Sequence, residues 1–506
     1  MRERITYVQK LGDSIEPSAV TVEGGTIRGP AIHAALEHRL TIALGELPFE
    51  LQTLLGDTQD LHIRWVSTAA HEAVSPLLAR LPPGFHLFTT LGRADVVSNT
   101  LCATLGKLFG DISCSTPAES FTSLPKDTST HPTVFQYFQQ LDSLSHLIHY
   151  AKANLCRESD TSCSARLDSL AKASSLDISY DAAQHVIRVT ALWPYQRQPV
   201  HAISHPQHRT EVGILSVDKP KTLEAHEIGI SGLLTVLGQD SKPSPTMFTF
   251  ASRHRDAESS FSARFFSPTG LHPTLQLRIS SNQTPSPSPS PDDDEDTHCS
   301  PYAYLTLPRT VFADKYQLSD PLYLASKNLT ALRYITQPVD LEAPEYVMQQ
   351  WGSAVLVELS PPQSFRGSST QQWTAEIPLH LRYLTPTQGG YSTIDVPYPA
   401  VFWACEAAEG TEFPPNPFET ANLGYDGLFD ARTVFWHVEP HPADGGSQLL
   451  VNSVRVPVLD MDKAGWVNAG TAVAVMLGFL WAVWKLVAVY LREGYGARVE
   501  SEKKTQ

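Results

Sequence analysis

His201, His205 and His208 are the first residues in this 506-residue chain whose types and spacing could do chemistry. A His-x3-His pair on one helical face can bind zinc, because the spacing brings both imidazoles to the same side. Pro206 stands inside the set, however, and Pro194 and Pro199 precede it. Proline is hostile to a helix interior, so the stretch reads as a solvated loop. His226-Glu227 lacks the second histidine of a zinc-binding HExxH helix. Asp292 to Asp294 imitates an Asp-x-Asp metal site but sits in a Pro/Ser tract, where acidic runs are solvated. No phosphate loop, Gly-x-Ser-x-Gly elbow or dinucleotide fingerprint occurs. The chain is therefore read with no catalytic residue, no cofactor and no metal site.

Composition bounds the class. A net charge of -15 argues against nucleic-acid binding, which needs clustered Lys and Arg. Hydrophobic residues at 42% and charged residues at 18% support packed cores. The 38 prolines favour a loop-rich, largely β body. Six cysteines occur with no zinc-like spacing. Cys102 with Cys114, and Cys156 with Cys163, are plausible local bridges in an oxidising compartment, and isolated buried thiols are the alternative.

The element that must position everything else lies near the C-terminus. Ala464 to Trp484 carries no charge, and apolar character resumes after Lys485. About 20 apolar helical residues span a bilayer core. A transmembrane helix is predicted over 464–490, with Trp466 at one end and Trp481, Trp484 and Tyr490 at the other as interfacial aromatics. Lys485, Arg492, Arg498, Lys503 and Lys504 put the tail, 491–506, on the cytosolic side. The N-terminus has a basic start without an apolar h-region, which by itself would favour a tail-anchored protein with a cytosolic body. Two features decide for a lumenal body. Lys503 and Lys504 form a dilysine retrieval signal, and Asn282-Gln-Thr284 and Asn328-Leu-Thr330 are glycosylation sequons. The expected location is the endoplasmic reticulum membrane, single-pass.

Val20 to Glu23 and Leu61 to Val66 alternate as strands. Tyr137, Phe138, Leu141, Leu144, Leu147, Ile148 and Ala151 recur at helical spacing. His185 to Thr190 reads as a strand closed by Trp193-Pro194. Residues 1–200 form a mixed α/β N-terminal region. The Pro/Ser/acidic tract at 281–300 is a linker or surface loop. It interrupts a β-rich region covering 201–280 and 301–460, with strands at Thr274–Ile279, Tyr302–Leu307, Ser353–Leu359, Leu379–Leu384, Thr433–Val438 and Gln448–Val451. The fold class is mainly β with some α, the later region an antiparallel sandwich.

Leu271-His-Pro-Thr-Leu-Gln-Leu-Arg278, Tyr302-Ala-Tyr-Leu-Thr-Leu-Pro308, Asp314-Lys-Tyr-Gln-Leu318, Asp340-Leu-Glu-Ala-Pro344, Leu379-His-Leu-Arg-Tyr383 and Val396 to Cys405 resemble the PIG-X family. Met1-Arg-Glu-Arg4, Leu61 to Trp65 and Arg80 to His86 extend the likeness to the longer fungal form of that family. The resemblance implies a non-catalytic accessory subunit of glycosylphosphatidylinositol (GPI) mannosyltransferase I. Its partner would be the multi-span catalytic subunit that adds the first mannose to the anchor precursor. It also implies help in folding other proteins of the endoplasmic reticulum, and it carries over no catalytic residues. A general folding factor or receptor and, behind it, a lumenal glycosyltransferase are the competing readings. Arg382, Tyr383, His272 and Trp403 are candidates for a partner surface, against their being ordinary core and strand residues. Gly465, Ala469, Gly470, Ala472 and Ala474 would let a second helix approach closely.

Overall fold

β-branched and aromatic residues in short alternating runs produce a strand-rich chain. The computed structural model describes residues 1–56, 58–91, 100–124, 133–156, 160–205, 208–220, 223, 226–267, 270–281, 299–337, 339–362, 371–418, 423–443 and 448–494. The fold is mainly β with some α and several sheets, as expected from the sequence.

The first sheet has twelve strands. They are β1 (Arg2–Gln9), β2 (Thr21–Glu23), β3 (Thr26–Ala43), β4 (Thr58–Val66), β5 (Gly84–Leu91), β6 (Thr122–Ser123), β7 (Val134–Gln139), β8 (Ser175–Asp181), β9 (Val186–Ile203), β10 (Arg209–Asp218), β11 (Glu227–Val236) and β12 (Ser244–Ala251). Their order is β12-β11-β10-β1-β3-β9-β8-β4-β5-β7-β6, with β2 on β3. All neighbours are antiparallel except β1 and β10. Residues 209–251, grouped by sequence with the later region, thus hydrogen-bond into the first sheet, because β1 offers β10 a free edge.

The later chain adds β13 (His254–Phe265), β14 (Thr274–Ser281), β15 (Cys299–Pro308), β16 (Val311–Phe312), β17 (Leu329–Ile335), β18 (Gly352–Leu359), β19 (Gln371–Pro378), β20 (His380–Leu381), β21 (Tyr391–Pro397), β22 (Ala400–Glu406), β23 (Thr433–Pro440) and β24 (Val451–Pro457). Eight of these form a second sheet, ordered β17-β18-β15-β22-β23-β13-β14-β19, with β13 and β23 parallel. β16 pairs with β20, and β21 with β24. The helices are α1 (Phe49–Gly56), α2 (Thr100–Phe109), α3 (Pro117–Ser120), α4 (Ser145–Leu155), α5 (Thr161–Ser169), α6 (Pro321–Ser326) and α7 (Ala464–Glu493).

Several local readings change. The helical spacing from Tyr137 to Ala151 covers a strand and then a helix. Tyr137 and Phe138 lie in β7, paired with β5, and only Ser145 onward is α4. Val134-Phe-Gln-Tyr-Phe138 is a β-prone run, and a waiting edge strand outweighs an accidental spacing of three and four. β9 does not stop at Pro194 but continues to Ile203. The β3–β9 register shifts between Ala34 and Leu36, opposite Gln196 and Trp193, so Pro194 falls where the ladder is already broken. Of Leu379–Leu384, only His380 and Leu381 are strand.

The two sheets share one hydrophobic core. Phe85, Leu87, Phe88 and Tyr137 of the first sheet belong to the same buried cluster as Tyr304, Leu356, Phe402 and Phe435 of the second. Each such side chain adds roughly 1.5–3 kcal/mol on burial. Polar bonds fix the register. Gln136 Nε2 donates to Tyr304 Oη at 2.9 Å, Trp351 Nε1 to the Gln136 carbonyl at 3.0 Å, and Tyr425 Oη to the Arg80 carbonyl at 3.0 Å. All six cysteines are paired: Cys102–Cys114, Cys156–Cys163 and, across neighbouring strands, Cys299–Cys405. The two local bridges match the pairs suggested by spacing.

Candidate partner face and membrane anchor

The loops at one end of the second sheet carry exposed aromatics. Tyr316, Tyr346, Val347 and Tyr383 are 66%, 60%, 60% and 68% exposed. The Glu345 N–H donates to the Tyr383 carbonyl at 2.9 Å, setting Tyr383 beside the turn that bears Tyr346 and Val347. Beneath them the scaffold is tied by polar contacts. The Arg382 guanidinium lies 4.5 Å from the Phe312 ring centre and donates to the Ala343 carbonyl at 2.8 Å. Arg309 pairs with Glu345 at 2.7 Å. Asp340 Oδ1 accepts from the N–H groups of Glu342 and Ala343, which hold its carboxyl below the usual range. A groove lined by Lys315, Tyr316, Gln337, Val339, Asp340 and Glu342 borders the patch. Exposed aromatics with a polar rim are the make-up of protein-binding surfaces.

At the sheet's lateral edges, β17 and β19 meet at a seam. The Glu376 N–H donates to the Lys327 carbonyl at 2.9 Å, and Lys327 Nζ pairs with Glu376 at 2.7 Å. Asn328 adds a bond from Nδ2 to the Thr374 carbonyl at 2.7 Å. Its φ of 55° is left-handed, a conformation asparagine tolerates better than most residues. Asn328 on this turn and Thr330 at the start of β17 are both exposed.

The chain divides into two compact units. The larger holds Met1–Tyr383 and Ile394–Val454, and the smaller holds Leu384–Thr393 with Arg455–Gln506. In the smaller unit α7 runs 30 residues, about 45 Å at 1.5 Å per residue, against about 30 Å of hydrocarbon. The most apolar 18-residue stretch within Met461–Arg492 has mean hydropathy 2.1, and none of that stretch is buried. Lys485 Nζ lies 4.9 Å from the Trp484 ring and 5.9 Å from that of Trp481.

The residues singled out by sequence fare differently. His272 and Tyr383 are exposed at the patch end of the sheet, and the Nδ1 atoms of His272 and His380 lie 2.9 Å apart, one donating to the other. Arg382 and Trp403 are core residues at 5% and 2% exposure. Trp403 lies on β22, flanked by β15 and β23, and Arg382 is covered by Phe312. His201 is exposed on β9, and His208 is half-buried with Nε2 3.1 Å from Glu3, so these two histidines stand on or beside strands rather than in a solvated loop. Gly465, Ala469, Gly470, Ala472 and Ala474 are exposed on α7. Asn282, the 282–298 tract with Asp292 to Asp294, Lys503 and Lys504 lie outside the described residues. Sequence reasoning did not single out Tyr346 and Val347; two apolar residues inside a Glu/Pro-rich loop were the available signal.

These features define a protein with a β-rich body and one C-terminal helix long and apolar enough to cross a membrane. The sequence model of the PIG-X / PBN1 family matches residues 268–487, most of the second sheet and α7. The chain is 60% identical to Protein pbn1 of Neurospora crassa over 514 residues, covering 100% of both. It is 46% identical to Protein PBN1 of Gibberella zeae, covering 97% of this chain and 96% of that protein. It is 39% identical to Protein pbn1 of Emericella nidulans, with 98% and 97% covered. The chain belongs to the PIG-X / PBN1 family.

Proposed function

We propose that this chain is the non-catalytic accessory subunit of GPI mannosyltransferase I, stabilising the multi-span catalytic subunit that adds the first mannose to the anchor precursor. Full-length kinship with the PBN1 proteins, together with the PIG-X / PBN1 match, carries the reading. The aromatic patch around Tyr346, Val347 and Tyr383 and the exposed small residues of α7 are the surfaces it offers the partner. The body lies in the lumen of the endoplasmic reticulum and the tail in the cytosol. Three pairings that use every cysteine suit an oxidising compartment. Asn328 stands on an exposed turn, where it is a site of N-glycosylation, with Asn282 as a second. Lys503 and Lys504 serve retrieval.

The test is depletion of the chain followed by quantitative proteomics and a microsomal assay of mannose transfer to the anchor precursor. Selective loss of the multi-span enzyme, with transfer lost in parallel, is expected. Loss of many unrelated membrane proteins would favour a general folding factor, and mannose transfer by the purified chain alone would make it an enzyme. Glycosidase treatment of the membrane-bound protein is expected to shift its mobility, and the shift should shrink when Asn328 is replaced.

A further inference from the structure

A second piece of chain is fastened to the start of the apolar helix. Leu384-Thr-Pro-Thr-Gln-Gly-Gly-Tyr-Ser-Thr393 belongs with α7 to the smaller unit. The Thr387 N–H donates to the Leu459 carbonyl at 3.2 Å, and the Thr387 carbonyl accepts from Met461 at 3.1 Å. The Val458 N–H donates to the Gly390 carbonyl at 3.0 Å. The turn depends on glycine. Gly390 has φ +72°, and a Cβ there would stand 3.2 Å from the Asp460 side chain. The Arg455 guanidinium lies 3.9 Å from the Tyr391 ring centre, closing the loop from its other side.

Depth follows from helix geometry. Met461 precedes Trp466 by five residues, about 7 Å of rise. Trp466 is 84% exposed at the start of the apolar run, where tryptophans mark the interface. The headgroup layer adds roughly 5–8 Å beyond each face of the hydrocarbon. A loop bonded to Leu459 and Met461 therefore falls in that layer. Irregular backbone cannot enter lipid-exposed hydrocarbon, which limits how deep it goes. Its side chains suit this boundary. Tyr391, Leu459 and Met461 are 51%, 46% and 55% exposed; Arg455, stacked on Tyr391, and Lys463, 3.4 Å from Asp460, are exposed cations beside them.

We propose that Leu384–Thr393 is a membrane-interface loop. It lies in the headgroup layer of the leaflet on the N-terminal side of α7, inserting Tyr391 beside Leu459 and Met461 and presenting Arg455 and Lys463 to lipid phosphates. The inference rests on α7 spanning the bilayer. It makes the loop a lipid-binding collar rather than a face for a protein partner.

Because every cysteine is paired, one introduced cysteine takes a nitroxide label without reductant. The full chain is reconstituted in phosphatidylcholine vesicles as Gln388→Cys, Val475→Cys and Lys242→Cys, and label accessibility to oxygen and to a water-soluble nickel chelate is compared. The expected order of nickel access is Val475 lowest, Gln388 several-fold below Lys242, and Lys242 highest. Nickel access at Gln388 equal to that at Lys242, with Val475 shielded, overturns the loop proposal and leaves the anchor standing. A water-exposed label at Val475 overturns the anchor and the proposal together. Tyr391→Ser is expected to raise nickel access at the Gln388 label, and no change would count against insertion of Tyr391.

Discussion

The Asn328 carboxamide reaches from the α6–β17 turn to the Thr374 carbonyl on β19, 2.7 Å away, and so ties together the two edge strands of the second sheet. An edge left open is a liability for a sheet, and here a turn residue helps cover it. Asn328 is also the first residue of a sequon, so two roles meet on one side chain. They can be separated. Asn328→Ala loses the bond and places a residue with no side-chain hydrogen bond at φ 55°, and should destabilise the body by roughly 1–3 kcal/mol. Thr330→Ala also removes the sequon but leaves the seam bond in place. Denaturant midpoints should therefore rank Thr330→Ala well above Asn328→Ala; equal midpoints would assign the whole effect to the glycan.

Cys299 and Cys405 stand opposite each other on β15 and β22 and close a stretch 106 residues long. Loop-closure entropy grows with loop length, so this bridge should contribute about 4–5 kcal/mol. The Cys156–Cys163 bridge closes only 7 residues and contributes less. Paired Cys→Ala variants compared by chemical denaturation are expected to show that order. A reversed order would mean the bridges act on the native state rather than on the unfolded chain.

Buried histidines make the body acid-sensitive. Burial pushes His86 and His254 down to about 3 from an ordinary 6.5, and His437, whose Nε2 lies 2.9 Å from His254 Nδ1, is lowered as well. Above pH 6.5 these rings are neutral both folded and unfolded, and they add no pH dependence. As pH falls below 6.5 the unfolded chain takes up protons that the folded body refuses, so stability drops. Each ring contributes up to about 1.4 kcal/mol per pH unit until its folded pKa is reached. Denaturation midpoints should fall between pH 7 and 5, with a shallower slope in a His254→Asn variant. A flat profile over that range would falsify the neutral-histidine core.

Glu3 titrates in a different window. It is 1% exposed and takes His38 Nε2 at 2.8 Å, Thr210 Oγ1 at 2.8 Å, Arg166 Nη1 at 3.1 Å and His208 Nε2 at 3.1 Å. Burial opposes its charge, yet the bonds from His38 and Thr210 and the charges of His38 and Arg166 prevail, holding the carboxyl at about 2 instead of 4.5. The stabilisation is present above pH 4.5 and is lost as pH falls towards 2. Glu3→Ala leaves four cationic or hydrogen-bonding partners facing a gap, and should cost about 3–5 kcal/mol at neutral pH. Thermal unfolding at pH 7 checks this; a loss below about 1 kcal/mol would show that water replaces the carboxylate without penalty.

Legibility differed from element to element. β14, β15 and β18 were readable because alternation and β-branched residues act locally. β7 was hidden, since Tyr137, Phe138 and Leu141 mimic a helical stripe and only the edge of β5 decides against it. The Cys299–Cys405 bridge was hidden too, because nothing local joins residues so far apart. On the candidate face, Tyr383 could be singled out from sequence and Tyr346 could not. The two are brought together by the bond from the Glu345 N–H to the Tyr383 carbonyl and by Arg382 donating to the Ala343 carbonyl.

What the sequence determined by itself is the apolar helix over 464–490 and the strand-rich character of the body. Both follow from composition over short windows, where the partition of side chains between water and an apolar phase outweighs any contact. Tertiary structure alone decided which strands pair and that Trp403 and Arg382 are buried. It also decided that Asn328 closes a seam and that Leu384–Thr393 folds back onto the start of the helix. Those outcomes depend on hydrogen bonds between residues tens to hundreds of positions apart, which no local window contains.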